Sequence, residues 1–82
     1  MNAAEVQKRV IKVVCQVLSV EPDLVQPDSN FAFDLGAEST QSVELLAGFE
    51  AEFGIDVDNE AALAIQTVGE AVEFIGRYVK DR

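Results

Sequence analysis

Apolar residues recur at helical spacing in several stretches of this chain, and proline, glycine and acidic residues separate those stretches. The first stretch, residues 3–18, carries a stripe of valines with charged and amide residues between them. The valines are Val6, Val10, Val13, Val14 and Val17. Residues spaced i, i+4 and i+7 lie on one face of an α-helix, and Asn2 followed by Glu5 is typical of a capped helix start. We therefore predict an N-terminal helix over residues 3–18 with a buried valine face.

A second helix is predicted from Ser39 to Phe53. Its inward face is made of leucine and phenylalanine, namely Leu45, Leu46, Phe49 and Phe53, and its outward face of Gln41, Glu44, Ala51 and Glu52. Val43 and Ala47 are small apolar residues among polar neighbours, so they are candidates for contact with a partner, although a single exposed valine or alanine is often incidental. Gly48 lowers helix stability by about 1 kcal/mol relative to alanine, which indicates close packing or local flexibility there.

The C-terminal part of the chain predicts one short helix and one longer helix. Asp58 is placed to cap a third helix from Asn59 to Ile65. Thr67 and Glu70 form a capping-box pattern at the start of a last helix, which we expect to run to about Lys80. The inward residues of that helix would be Val68, Ala71, Val72, Ile75 and Val79. Together these elements predict an all-α fold, a small four-helix bundle with a long first loop and a short third helix, as a single domain over residues 1–82.

The connection between the first two helices, Ser19 to Glu38, is long and contains two prolines and Gly36. Such connections are uncommon in compact domains unless they are functional or specially anchored. We expect apolar anchors at Val20, Leu24, Val25, Phe31 and Leu35. Gly36 can adopt the positive φ of a sharp reversal, which puts Ser39 on or beside the N-cap of the second helix with an exposed hydroxyl. Serine at a helix start is most often only a capping residue.

Charge is distributed unevenly along the chain. The six lysines and arginines and fifteen acidic residues give a net charge of −9. From Val13 through Gly76 there is no lysine or arginine, whereas thirteen acidic residues fall in that span. A field of one sign argues against a nucleic acid and favours a protein partner with a basic surface, which it would attract at long range. For any single acid, a solvated surface position is the simpler interpretation.

The composition also limits the chemistry of the chain. The lone Cys15 cannot form an internal disulfide, and no Cys/His pairs suggest a zinc site. The chain has no histidine, which removes the commonest general base, so Ser39 is not expected to act as a hydrolytic nucleophile. We predict that the protein is not an enzyme. The lone cysteine favours the cytoplasm, and no signal peptide or membrane span is predicted because charged residues interrupt the first apolar segment.

An acidic segment after the second helix resembles the start of a calcium-binding EF-hand loop. Asp56, Asp58 and Glu60 alternate as such a loop requires. However, Ala61 stands where the turn needs glycine, and Thr67 stands where a bidentate glutamate should bind the ion. We therefore predict no metal site.

The segment from Phe31 to Ser39, with the sequence Phe-Ala-Phe-Asp-Leu-Gly-Ala-Glu-Ser, resembles the acyl carrier proteins. The resemblance continues through Val-Glu-Leu-Leu at 43–46 and Glu-Ala-Glu-Phe-Gly-Ile at 50–55, and it extends to the first loop and the helix order. In that family a similar signature, Asp-Leu-Gly-Ala-Asp-Ser-Leu, presents a serine that a phosphopantetheinyl transferase esterifies covalently with 4′-phosphopantetheine. The terminal thiol of this arm carries acyl groups as thioesters. The resemblance implies that Ser39 is the attachment residue.

The resemblance also implies a surface that partners contact. Its candidate residues are Asp34, Glu38, Thr40, Gln41, Val43, Glu44 and Ala47. The implied partners are a phosphopantetheinyl transferase and acyl-processing synthases with basic docking surfaces, together with the acyl chain itself, and the carrier is expected to be monomeric. In the family the core can open between helices to shelter an acyl chain; simple packing is the alternative here.

Four positions depart from the family pattern. Thr40 replaces the leucine that follows the modified serine, Gln41 replaces a common acid, and Ala47 replaces a larger apolar residue. These three favour a specialised acyl carrier, for fatty-acid, lipid or secondary-metabolite synthesis. Phe33 replaces an acid and is either an extra core contact or an exposed partner contact. The alternative functions are a carrier for an amino or aryl acid and an unmodified acidic helical module that only binds partners.

Overall fold

The chain folds into four α-helices in a computed structural model, which describes residues 2–79. They are α1 Ala3–Leu18, α2 Ser39–Phe53, α3 Asn59–Leu63 and α4 Val68–Val79. A short 3-10 helix, Pro22–Leu24, lies in the connection between α1 and α2. Over residues 2–79 there is no β-strand, only an isolated antiparallel bridge between Asn30 and Thr67. The predicted all-α bundle with a long first loop and a short third helix is thus confirmed.

The predicted helix boundaries agree closely with the observed ones. The structure confirms the bounds of α1 and α2, whereas α3 ends at Leu63 instead of Ile65. The expected end of α4 near Lys80 lies outside the described residues. None of the helices that the structure describes is both long and apolar enough to cross a lipid bilayer.

Side-chain caps explain why three of the helices begin where they do. The Asn2 side-chain oxygen accepts the N–H of Glu5 at 2.8 Å, and Asp58 caps α3 in a similar way. At α4 the Thr67 hydroxyl accepts the N–H of Glu70 at 3.2 Å, while the Glu70 carboxylate accepts the N–H of Thr67 at 3.0 Å. These reciprocal bonds satisfy N–H groups that have no partner within the helix.

The core is organised around α1, which packs against both α2 and α4. Val10 and Val14 of α1 are 0% exposed, as the valine stripe predicted. A Cβ atom at Gly48 of α2 would lie only 2.7 Å from Cγ1 of Val13. Gly48 therefore serves close approach of the two helices, which was one of the two explanations that its position in the sequence allowed.

The first loop is anchored at some of the expected positions but not at all of them. Val25 and Phe31 are buried, and Val20 and Leu35 are partly buried against the core. Leu24 is 62% exposed, so its predicted anchoring role was wrong. Leu24 is the last residue of the 3-10 helix, and the backbone of that turn sets the direction of its side chain.

Backbone hydrogen bonds attach the loop to the start of α4. The Pro27 carbonyl accepts the Gly69 N–H at 2.8 Å, and the Ser29 carbonyl accepts the Val68 N–H at 3.0 Å. Phe31 donates its own N–H to the Gln66 carbonyl at 2.9 Å. Gly69 allows this contact, because a Cβ atom there would lie 2.9 Å from the Pro27 carbonyl oxygen. The loop that leads to Ser39 is thus bound through backbone hydrogen bonds to α4, which lies far from it in the sequence.

Candidate functional site

The turn before α2 is built around Asn30. Its side-chain oxygen accepts the N–H groups of Ala32 and Phe33 at 2.9 and 3.0 Å, and its backbone carbonyl accepts those of Asp34 and Leu35 at 2.9 and 3.1 Å. The Asp34 carboxylate in turn accepts the Asn30 N–H at 2.7 Å. Asp34, predicted as a partner contact, therefore also has a structural role that fixes the backbone of residues 30–35.

The chain then reverses at Gly36, whose φ of +72° is the positive value that the sequence predicted. Ala37 closes the reversal by donating its N–H to the Phe31 carbonyl at 2.7 Å. The next helix begins at Ser39, with Glu38 as its N-cap. The Glu38 N–H is bound by the side-chain oxygen of Gln41 at 3.0 Å. Ser39 thus lies beside the N-cap rather than on it.

This arrangement leaves the Ser39 side chain available. Ser39 is exposed, and its hydroxyl makes no hydrogen bond to any residue in the range 2–79. Ser42, one turn further along α2, differs because its hydroxyl donates to the Glu38 carbonyl at 3.4 Å. The capping role that usually explains a serine at a helix start does not apply to Ser39.

The residues predicted to contact partners lie in the turn before α2 and on the first half of the helix. Six of them are exposed, namely Asp34, Glu38, Thr40, Val43, Glu44 and Ala47. Gln41 is partly buried because its side chain caps the helix. Among residues 2–79, the four ion pairs join Arg9, Lys12 and Arg77 to Glu5, Glu52 and Glu73. Glu38 and Glu44 therefore carry charge that no described base neutralises.

A cavity of about 200 Å³ lies between α2 and α4. Its walls are mainly apolar, and the buried ones are Phe31, Leu45, Phe49, Ala71 and Ile75. Four exposed residues form its mouth, namely Ala32, Phe33, Ser42 and Gln66. The side chain of Phe33 is 90% exposed, so it is not a core residue. The cavity opens to solvent close to the first turn of α2.

The single cysteine of the chain, Cys15, has no part in this site. Burial, and secondly the charge of Glu21, raises the pKa of the Cys15 thiol, which keeps it protonated and weakly nucleophilic. Within the part of the chain that the structure describes, no three acidic, histidine or cysteine side chains converge to hold a metal ion.

Sequence reasoning missed three parts of the site. The Glu38–Gln41 cap has a local signal, because an acid followed three residues later by glutamine is a variant of the capping box. Asn30 has a weaker one, since asparagine often hydrogen-bonds the backbone two residues on. No signal in the sequence predicts which way the Phe33 side chain points, because its direction depends on how the turn packs above the cavity.

The chain is similar to proteins of a known family. A family described as "Phosphopantetheine attachment site" matches residues 8–75. The chain is 40% identical over 79 residues to an acyl carrier protein of Thermosynechococcus vestitus, covering 96% of this chain and 98% of that protein. It is 43% identical over 77 residues to acyl carrier proteins of two Bradyrhizobium strains, covering 94% of this chain and 98% of each relative.

Proposed function

The chain belongs to the acyl carrier protein family, and we propose that Ser39 is the residue that carries its 4′-phosphopantetheine. The protein is a carrier of acyl groups and not an enzyme. The observation that supports Ser39 is its exposed hydroxyl, free of hydrogen bonds within residues 2–79, on the first residue of α2. Ser42 is less suitable because its hydroxyl is hydrogen-bonded to the Glu38 carbonyl.

Attachment requires little of this chain beyond presenting the serine. The Ser39 Oγ attacks the phosphorus of coenzyme A that bears pantetheine, a P–O bond forms, and adenosine 3′,5′-bisphosphate leaves as the pyrophosphate bond breaks. The hydroxyl proton passes to a base of the transferase, since this chain has no histidine. N–H groups and the partial positive charge at the start of α2 favour the resulting phosphodiester anion, whereas the neighbouring carboxylates of Asp34 and Glu38 oppose it electrostatically. Once attached, the arm supplies a terminal thiol that holds an acyl group as a thioester.

Intact mass spectrometry tests this assignment. Incubation with coenzyme A, magnesium and a broad-specificity phosphopantetheinyl transferase should add one phosphopantetheine to the wild type and none to Ser39→Ala. Ser42→Ala is the matched control, because it removes the neighbouring hydroxyl and should accept the arm. An adduct that persists in Ser39→Ala, or that maps to Ser42, would contradict the assignment. No adduct with several transferases would favour the alternative of an unmodified interaction module.

The residues predicted to contact partners form the second part of the proposal. The transferase and acyl-processing synthases would dock basic surfaces on Glu38 and Glu44, with Thr40, Val43 and Ala47 giving close contacts. The unneutralised charge of Glu38 and Glu44 supports this docking, because an uncompensated field steers a charged partner. We further propose a monomeric, cytoplasmic carrier for a specialised acyl pathway. Support for that pathway comes from the unusual residues on the same surface, Thr40, Gln41 and Ala47.

Charge reversal tests the docking surface. Glu44→Lys should slow loading by the transferase about threefold to tenfold at low ionic strength, and the effect should shrink in high salt, because screening weakens electrostatic steering. The matched control is Glu21→Lys, which makes the same charge change on an exposed residue of the first loop. Loading rates measured across a salt series would contradict the proposal if the two variants were slowed equally.

A further inference from the structure

The cavity between α2 and α4 lies within reach of an arm attached to Ser39. Ser42 belongs to the mouth of the cavity, and it is one helical turn from Ser39. The deeper walls are apolar and buried, so water gains little from filling the space. An apolar cavity of about 150 Å³ stays dry and holds a benzene molecule, so one of about 200 Å³ can hold a short run of methylene groups.

Phe33 is unusual among the residues around this cavity. It borders the cavity and is nonetheless 90% exposed, so nothing covers most of its ring. An exposed phenyl ring forgoes the stabilisation that burial would provide. The backbone cannot relieve this, because Asn30 binds the N–H groups of Phe33 and its neighbours and Asp34 binds back to Asn30. Only rotation of the Phe33 side chain can bring the ring over the mouth.

We propose that Phe33 covers the mouth of this cavity when an aliphatic acyl chain, tethered through Ser39, occupies it. Phe33 is then a positioning residue that determines how long a medium-length acyl chain stays inside the protein. Contact between the Phe33 ring and the acyl chain removes apolar surface of both from water, and this stabilises the closed arrangement. A two-carbon acyl group is too short to gain from this contact. The inference rests on the proposed attachment at Ser39.

A contact between Phe33 and a partner protein is the competing interpretation. Such a contact would require exposure alone, and it would give no reason for the ring to border an apolar cavity. Phe33 does border it, and the neighbouring polar side chains of Asn30 and Asp34 are engaged in holding the turn. The geometry therefore favours the acyl chain as the occupant.

The experiment compares thioester lifetimes. Wild type, Phe33→Ala, Phe33→Leu and Leu63→Ala are each loaded with acetyl- and octanoyl-phosphopantetheine by transfer from the corresponding coenzyme A thioesters. Leu63 is the matched control because it is a large apolar residue, 68% exposed, that does not line the cavity. The rate of thioester cleavage by hydroxylamine is measured for each protein, with the free coenzyme A thioesters as the reference. Thermal midpoints before and after loading give a second readout that does not depend on cleavage.

The octanoyl group should be cleaved more slowly than the acetyl group on the wild type, beyond the difference between the free thioesters. Phe33→Ala should reduce this protection about fivefold, the effect expected when roughly 40 Å² of apolar surface is no longer covered. Phe33→Leu should retain part of the protection, and Leu63→Ala should retain all of it. Octanoyl loading should also raise the thermal midpoint of the wild type more than that of Phe33→Ala, while acetyl loading should not distinguish them.

Unchanged octanoyl protection in Phe33→Ala would overturn the proposal. So would a Phe33→Ala variant that is loaded slowly but protects normally, because that result identifies Phe33 as a partner contact. If the wild type is not loaded at Ser39, both this inference and the proposed function fail. If the wild type is loaded and only the protection pattern is absent, the inference alone fails.

Discussion

The two sides of α2 are packed to different degrees. Toward α1, Gly48 brings the helix backbone close to Val13, and Glu52 pairs with Arg9 and Lys12 at 4.0 and 3.2 Å across the same interface. Toward α4, a cavity of about 200 Å³ separates the helices. The bundle is therefore closed on one side of α2 and hollow on the other.

Different residue types occupy the two sides. On the closed side Val13 and Val17 of α1 lie nearest Gly48, and a helical valine has one strongly preferred side-chain rotamer, so rigid groups fill that contact. Phenylalanine, leucine and isoleucine line the hollow side, and their longer side chains can rearrange around an occupant. The cavity opens to solvent, so it is a cleft that a ligand can enter and not a void sealed within the core. The closed side can hold the helices in place while the hollow side changes its contents.

The largest effect should come from comparing truncation of a buried valine of α1 with truncation of a residue that borders the cavity. Val14→Ala removes less of a side chain than Leu46→Ala, yet it should lower the free energy of unfolding by about 2–3 kcal/mol against about 1 kcal/mol. The reason is that Val14 is fully buried, whereas Leu46 is partly exposed and borders space that is already empty. Urea unfolding followed by circular dichroism measures both. A larger loss for Leu46→Ala would mean that the hollow side also carries the stability of the fold.

Replacing two helical glycines with alanine should change the free energy of unfolding by smaller amounts, with opposite signs at the two positions. Gly48→Ala gains about 1 kcal/mol of helix propensity but forces a Cβ atom against buried Val13, so we expect a net loss of up to about 2 kcal/mol. Gly76→Ala is the matched control in α4, where no described residue outside the backbone of that helix lies within 4 Å of the new Cβ, and it should gain about 0.5–1 kcal/mol. Thermal midpoints report both. Equal gains at the two glycines would show that the interface between α1 and α2 is not close-packed.

The smallest effect concerns the cap of α4, at the edge of the hollow side. Hydrogen bonds from the N–H groups of Gln66 and Thr67 lower the pKa of the Glu70 carboxyl. A folded-state pKa below the unfolded one stabilises the fold fully above the unfolded value, about 4.3, and this stabilisation is lost as the pH falls through the folded value. Glu70→Gln should therefore have a lower thermal midpoint than the wild type at pH 7, and the difference should shrink as the pH falls below about 4.3 and through the lower folded-state pKa.

Glu73→Gln provides the control for that measurement. It removes the same charge from the same helix, at a side chain that is 73% exposed and whose one ion pair within residues 2–79 is with Arg77 at 3.7 Å. Its thermal midpoint should stay close to that of the wild type at pH 7, since exposed pairs contribute little. If Glu73→Gln lowers the midpoint as much as Glu70→Gln does, the loss reflects charge on α4 and not the cap.

Local signals in the sequence predicted most of the helical frame. The caps at Asn2, Asp58 and Thr67 depend on residues within one turn, so a single segment is enough to recognise them. The buried valines of α1 follow from periodicity. Leu24 was wrongly predicted to be buried, because it lies in an aperiodic segment where spacing does not determine direction.

The site was predictable in position but not in detail. The glycine turn and the exposed serine follow from residues 34–39 themselves, and the resemblance gave Ser39 its proposed role. The cavity and the exposed ring of Phe33 depend on how α2, α4 and the first loop meet. Those contacts join residues far apart in the chain, so the local patterns of one sequence do not reveal them.

The attachment of the first loop to α4 has a consequence for how the protein matures. Pairing between residues 27–31 and 66–69 closes a long stretch of chain, and contacts of such high sequence separation form late because loop closure opposes them. We expect the Ser39 turn to become ordered only when α4 has formed, so a nascent chain still lacking α4 should be a poor substrate for the proposed attachment at Ser39. Pulsed hydrogen exchange during refolding tests this order. Protection of the Ala37 N–H before that of Val68 would contradict it.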